Sequence, residues 1–273
     1  MPQLGKNCIW CEGSTANNSD VSHVLPRCFG NLDIWVLPKG VVCRPCNNFF
    51  GTQIEPALDK DPLIRAICVA FGVMDPGDRE VFRDRLSDQD SVPTALPVRT
   101  VDLNFTVSTN AFELDVTFDE VKRTFRKKYD RKSVALFSRA IHKIAFESFV
   151  WHQMQPDPKP ARLDLFDARF SSIRQWARHG QPRRKVRPLV RMTVDHISSH
   201  DLWEAQVWGF EQAQHFALQL RLFGDWLVVS LTSSQAQVQE HLMSWCSASP
   251  KPAWLISDTF GPLSAGNSRQ RLK

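Results

Sequence analysis

Apolar positions along the chain follow two periods, and the first stretch follows neither. Residues 1 to 56 are rich in Cys, Asn, Gly and turn signals and carry little periodicity. From Asp59 to Arg85, Leu63, Ile64, Ile67, Cys68 and Phe71 recur at spacings of three and four, which predicts a helix. The segment 86–97 is polar and punctuated by prolines, a linker pattern. Val101, Leu103, Phe105 and Val107 then alternate. After Ser108-Thr109-Asn110, Phe112, Leu114, Val116 and Phe118 alternate again, which predicts a β-hairpin. Asp119 opens a basic helix to about Tyr129. Ser133 to Trp151 forms a second helix, with Val134, Phe137, Ile141, Ile144 and Ser148 on one stripe. Asp164 to His179 forms a third, stopped by Gly180. From Val186 onward short strands return: Phe216, Leu218, Leu220 and Leu222 alternate, and Gly224-Asp225 leads into Trp226 to Leu231. Trp151 and Trp176 fall near apolar stripes and read as core. The pattern predicts an α+β chain in four parts. These are a small unit over 1–56, a helical connector and linker over 57–97, a mixed α+β domain over 98–260 and a flexible tail over 261–273.

Composition narrows the class. A length of 273 residues suits about two domains at roughly 150 residues each. With 42% hydrophobic and 23% charged residues, wholesale disorder and a collagen-like fibre are excluded. No run approaches the roughly 18 apolar residues that cross a bilayer, and the opening MPQLGKNCIWCEG has no apolar core of a signal peptide. Seven cysteines are too few for a disulfide scaffold of this size. The expectation is a cytoplasmic protein, off the membrane, with reduced thiols available to metal.

Net charge is +5, but its distribution is uneven. Lys122 to Lys143 holds nine basic residues against one acid, and Arg174 to Arg191 holds seven and no acid. The rest of the chain is acidic on balance. Focused positive charge attracts a polyanion such as a nucleic-acid backbone; a solvated helix face and a basic loop produce the same pattern. Arg139 and Lys143 stand one helical turn apart, suited to neighbouring phosphates, and Arg183-Arg184-Lys185 forms a basic loop that could do the same.

The most specific signal is Cys8-Ile-Trp-Cys11 followed by Cys43-Arg-Pro-Cys46. Two such pairs let four thiolates converge on one tetrahedral ion, the donor set of a structural zinc site. The 31 intervening residues exceed the usual ribbon spacing of about 15–20, so something is inserted between the knuckles. Cys28, Cys68 and Cys246 fall outside the pattern and read as core thiols.

The insert holds Ser22-His23-Val24-Leu25-Pro26, and the second pair runs directly into Asn47-Asn48-Phe49-Phe50-Gly51. In order and spacing, residues 8 to 56 resemble the HNH, or ββα-metal, endonucleases, and more narrowly a bacterial subfamily with two CxxC knuckles. The resemblance implies a zinc-stapled ββα finger that hydrolyses phosphodiester bonds of DNA. His23 matches the general base that activates water, a task imidazole suits near neutral pH. Asn47 matches the ligand of a catalytic divalent ion, Mg²⁺ or Mn²⁺, and an amide oxygen is a hard donor suited to either. Asn31 matches, at an unusual distance from Cys43, the asparagine that pins the histidine loop; a Gly-Asn turn explains it as well. Ser22 and Asn48 would neighbour the ion, and a helix cap explains Asn48 equally. One departure stands out. Many relatives carry Asp or Glu immediately before the histidine as a second metal ligand, and this chain has Ser22.

The leading expectation is therefore a metal-dependent HNH endonuclease with structural Zn²⁺ on Cys8, Cys11, Cys43 and Cys46. Its substrate would be DNA held by basic segments, and a homodimer would bring two sites to paired cuts. The rivals are a non-catalytic zinc protein that binds nucleic acid, and a sensor protein that uses the finger as its effector.

Overall fold

Two short strands and a helix lead the chain. β1 (Ser22–His23) pairs antiparallel with β2 (Val36–Leu37), matching Ser22 to Leu37 and His23 to Val36, and α1 (Arg44–Phe49) follows. The computed structural model describes residues 3–16, 20–26, 29, 35–61, 64, 118–119, 124–125, 131–158, 162–181, 190–193, 203–210, 215–222, 225–232 and 255–260. α1 opens at Cys43 with Pro45 in its first turn, where a missing N–H costs nothing. It runs into a π-helical turn (Phe50–Ile54) and then α2 (Pro56–Asp59). Most of the helix expected over Asp59 to Arg85 lies outside the described residues. Asp59 closes α2, and the buried Asp61 accepts from the Ile64 amide at 3.1 Å, as an N-cap does.

Phe118–Asp119 (β3) pairs antiparallel with Thr124–Phe125 (β4). At Asp119, Thr124 and Phe125, strand stands where the basic helix from Asp119 to about Tyr129 is expected, and the rest of that span lies outside the described residues. Lys122 and Arg126, like Arg123 and Lys127, would stand four apart on a helix and repel, while Phe and Thr favour extended backbone.

The central element is α3 (Arg131–Gln153), two residues longer at each end than its periodicity predicts. From Ala140 to Val150 every residue is buried, so three walls surround it rather than one. The first is the N-terminal region: Trp10 meets Phe146 edge-on at 5.2 Å. The second is α4 (Ser171–His179), entered through a 3₁₀ turn (Ala168–Phe170) capped by Asp167. Phe170 packs on both Phe146 and Phe149. Gly180 ends α4 where the sequence predicts the stop, and does so in the left-handed conformation, with φ of 64°. The third is an antiparallel sheet of β5 (Val190–Thr193), β6 (Trp203–Phe210), β7 (His215–Leu222), β8 (Asp225–Ser230) and β9 (Leu255–Phe260), in the order β5-β8-β7-β6-β9. Phe149 stacks on Phe216 of β7 at 6.0 Å. The alternation of Phe216, Leu218, Leu220 and Leu222 is a strand with those side chains buried, as its period predicts. The architecture is α+β.

Trp176 is buried and Trp151 half-buried, the latter edge-on to Trp35, so both sit in the core as expected. The linker, nearly all of the hairpin over 101–118, the tail, Asn31, Arg183, Arg184, Lys185, Cys28, Cys68 and Cys246 lie outside the described residues.

Candidate metal centre and the polar site beside it

Cys8 and Cys11 sit on a tight turn in which the Glu12 amide donates to the Cys8 carbonyl at 2.8 Å. Cys43 caps α1, and Cys46 lies inside it. The two turns are tied at their backs. Ile9 N–H donates to the Val41 carbonyl at 3.0 Å, and the buried Thr15 hydroxyl donates to the Gly40 carbonyl at 2.8 Å. Gly40 has φ of +88°, and a Cβ there would stand 2.7 Å from the Gly5 carbonyl oxygen, so the junction requires glycine. All four sulfurs consequently lie within 4.8 Å of one another, and Cys11 and Cys43 are 3.6 Å apart. Tetrahedral zinc with bonds of about 2.3 Å holds its sulfurs about 3.8 Å apart. The four cysteines are thus placed to hold one metal ion.

The surroundings favour thiolate at Cys8. Backbone N–H groups of Trp10 and Cys43 donate to Cys8 Sγ at 3.4 and 3.3 Å. A hydrogen bond from Cys46 holds the Cys8 thiol down at about 5, against the upward push of burial. Burial pushes Cys43 up to about 11, and the bond to Cys8 together with burial pushes Cys46 upward. Thiols crowded this closely cannot all ionise beside one another, and a dication at their centre removes the conflict.

Arg178 of α4 adds a donor, Nε to Cys46 Sγ at 3.4 Å, and stacks on Phe49 at 4.2 Å. Donors to metal-bound sulfur disperse its charge and hold its orientation. Arg178→Gln is expected to weaken zinc retention about tenfold in a chelator-competition assay; retention equal to wild type would show the contact to be incidental.

Beside the cysteines the chain brings Ser22 and Asn47 together. Ser22 is buried, and its Oγ lies 3.1 Å from Asn47 Oδ1. Asn47 Nδ2 donates to the Val21 carbonyl at 3.3 Å, which directs Oδ1 toward Ser22. His23 is the next residue on β1, half-buried, and successive strand residues leave opposite faces. Asn48 is exposed on α1. Asp20, the nearest preceding acid, is engaged by Arg44 at 2.8 Å on the surface.

The group that periodicity misses is Glu147. Its carboxylate is wholly buried beside Ser22, with Oε2 at 3.2 Å from Ser22 Oγ, and it accepts from Trp10 Nε1 at 2.9 Å. Burial pushes it up to about 7, although Lys143 pulls it down. Lys143 Nζ reaches Glu147 at 3.0 Å, Glu55 at 2.7 Å and the carbonyls of His23 and Val24 at 2.6 and 3.2 Å. Burial lowers the affinity of this ammonium for its proton, but the two carboxylates outweigh it and raise the pKa.

Lys143 is therefore not presented to a phosphate: it is 1% exposed and its donors are used inside the protein. Arg139 is turned inward as well. It donates to the Ala177 and Arg178 carbonyls at 3.1 and 2.9 Å, capping the C-terminus of α4, and its guanidinium stands 5.7 Å from the Phe49 ring centre. These contacts correct the expectation that the pair clamps neighbouring phosphates.

No protein-family model, curated protein or solved structure matches the chain.

Proposed function

We propose that the chain is a zinc-stabilised, divalent-metal-dependent endonuclease of the HNH type, acting on DNA. The observation that carries this reading is the meeting of Ser22 and Asn47 beside the cysteine cluster, across an element order of strand, strand, helix. Cys8, Cys11, Cys43 and Cys46 hold structural zinc. That closed set of sulfurs leaves no open position for chemistry, so the reaction belongs to the neighbouring oxygens. Asn47 Oδ1 and Ser22 Oγ are hard donors, with a carboxylate directly behind them, and this set suits Mg²⁺ or Mn²⁺ with water completing the shell.

When bound there, the divalent ion stabilises the leaving 3′ oxygen and the charge developing on the phosphate. His23 takes a proton from water as the water oxygen attacks phosphorus; the bond to the 3′ oxygen breaks, and the leaving oxygen is protonated from solvent. Lys143, bonded to the His23 carbonyl, fixes the backbone that carries the imidazole. The basic run over 122–132 meets the DNA backbone, in place of Arg139 and Lys143.

Plasmid DNA incubated with Mg²⁺ or Mn²⁺ tests this. Wild type is expected to nick, His23→Ala to lose about 10²–10⁴-fold in rate, and Asn47→Ala to lose activity and metal dependence. Equal cleavage by His23→Ala would sink the general-base role. Salt-sensitive binding with no cleavage would favour a non-catalytic nucleic-acid-binding zinc protein, the reading that Ser22 before His23 suggests.

A further inference from the structure

We infer that Glu147 of α3 is a positioning residue for the polar site, acting on Asn47 through Ser22. The inference rests on the reading of Asn47 as a metal ligand and supplies the carboxylate which that reading otherwise lacks.

The argument is one of proton counting. The Ser22 hydroxyl has one proton and two acceptor groups in reach: Asn47 Oδ1 at 3.1 Å, and the Glu147 carboxylate with Oε2 at 3.2 Å and Oε1 at 3.5 Å. It can serve only one of them at a time. A carboxylate is the stronger acceptor. When Glu147 takes the proton, Asn47 Oδ1 keeps its lone pairs, and those of Ser22 Oγ turn toward the same side. Without Glu147, the proton goes to Asn47 Oδ1 and occupies the atom that would face a cation.

Glu147 is well fixed for this work. Trp10 Nε1 holds one carboxylate oxygen at 2.9 Å and Lys143 holds the other at 3.0 Å. Both partners are buried, so the carboxylate has no freedom to swing into solvent. It is also completely covered, which separates this role from direct contact with DNA or with the reacting atoms. The element on which it sits belongs to the body of the protein, so the body completes the site of the N-terminal region.

The full chain labelled with ¹⁵N-asparagine provides the test. The Asn47 side-chain amide pair is assigned by its loss in Asn47→Asp. Glu147→Gln and Ser22→Ala are each expected to shift that pair. In the double variant, the pair is expected where Ser22→Ala alone puts it, because the path through Ser22 is already cut. An unmoved pair in Glu147→Gln, or shifts that add in the double variant, would overturn the inference. Glu147→Asp keeps the buried charge beside Lys143 but draws the carboxylate back from Ser22, so it is expected to shift the pair as well should Glu147→Gln fold poorly, and an unmoved pair there would equally overturn the inference; zinc content and near-UV circular dichroism check each variant. Mn²⁺ titration followed by electron paramagnetic resonance is the second readout. Each single variant is expected to bind about tenfold more weakly, and the double variant no more weakly than either. Wild type that binds no Mn²⁺ would remove the metal-dependent reading of function, while the amide shifts would still decide whether Glu147 acts on Asn47.

Discussion

Cys43→Ser is expected to abolish zinc binding and to lower the thermal midpoint of the full chain sharply. Chelation of the wild type at elevated temperature should do the same. Structural zinc contributes about 10–16 kcal/mol of apparent binding free energy in small fingers, and that energy is folding energy. Little else here could replace it. The strands of the N-terminal region are two residues each, and α1 has six residues, far below the length at which an isolated helix holds in water. What remains is side-chain packing, Ile9, Trp10, Val41 and Val42 beside the cysteine turns among it, that belongs to one core continuous with α3 and the sheet. Loss of the ion would also uncover the face of α3 that carries Phe146 and Glu147, so the damage should reach beyond residue 56. Metal analysis giving about one zinc per chain in wild type and none in the variant, with a lower midpoint by calorimetry, is the expected pair of results. A variant with the wild-type midpoint would show that the four cysteines do not stabilise the fold.

Lys143→Met is expected to be nearly as damaging, at about 3–5 kcal/mol by denaturant titration. The substitution keeps the length and apolar character of the stem but strands Glu147, wholly buried, and Glu55, largely buried, without their counter-charge. Removing one partner of a buried pair costs far more than the pair contributes. The double variant Lys143→Met/Glu147→Leu is therefore expected to recover part of the lost stability, short of what Trp10 Nε1 and Ser22 lose as partners and of Glu55, which stays without its counter-charge. A double variant no more stable than Lys143→Met alone would mean the ammonium acts chiefly through the His23 and Val24 carbonyls.

These two predictions also mark where the sequence is readable and where it is not. The cysteine pairs could be read directly, because four thiols at CxxC spacing have few other uses, and the structure does gather their sulfurs. The strand over 216–222 could be read because one of its faces is apolar at every second residue. α3 could be read as a helix, but its surroundings could not. Lys143 and Glu147, four residues apart, look like an exposed ion pair on a helix, and the same spacing serves a buried one. The available signal was the width of the apolar arc: between Ala140 and Val150, Ile141, Ile144, Ala145, Phe146 and Phe149 leave no broad polar face. The pairing of Glu147 with Trp10 and Ser22 joins residues far apart in sequence, and no local pattern encodes such a contact. From Asp119 to about Tyr129 the sequence predicts a helix through a dense basic run, but Phe118 and Asp119 pair with Phe125 and Thr124 as strands: like charges four apart oppose a helix, and aromatic and β-branched residues favour extended backbone.

The hydrogen bond from Trp10 to Glu147 spans 137 positions of chain. At a synthesis rate of about 5–20 residues per second, Trp10 leaves the ribosome roughly ten seconds before its acceptor exists. During that interval the cysteine turns can already gather metal, while Trp10 and Glu55 still face water or a chaperone. The region made before α3 is thus completed late, when α3 emerges and closes over it. A nascent chain halted before residue 131 would carry the sulfur cluster without the buried carboxylate, so assembly of the metal centre and assembly of the polar site are separate events in time.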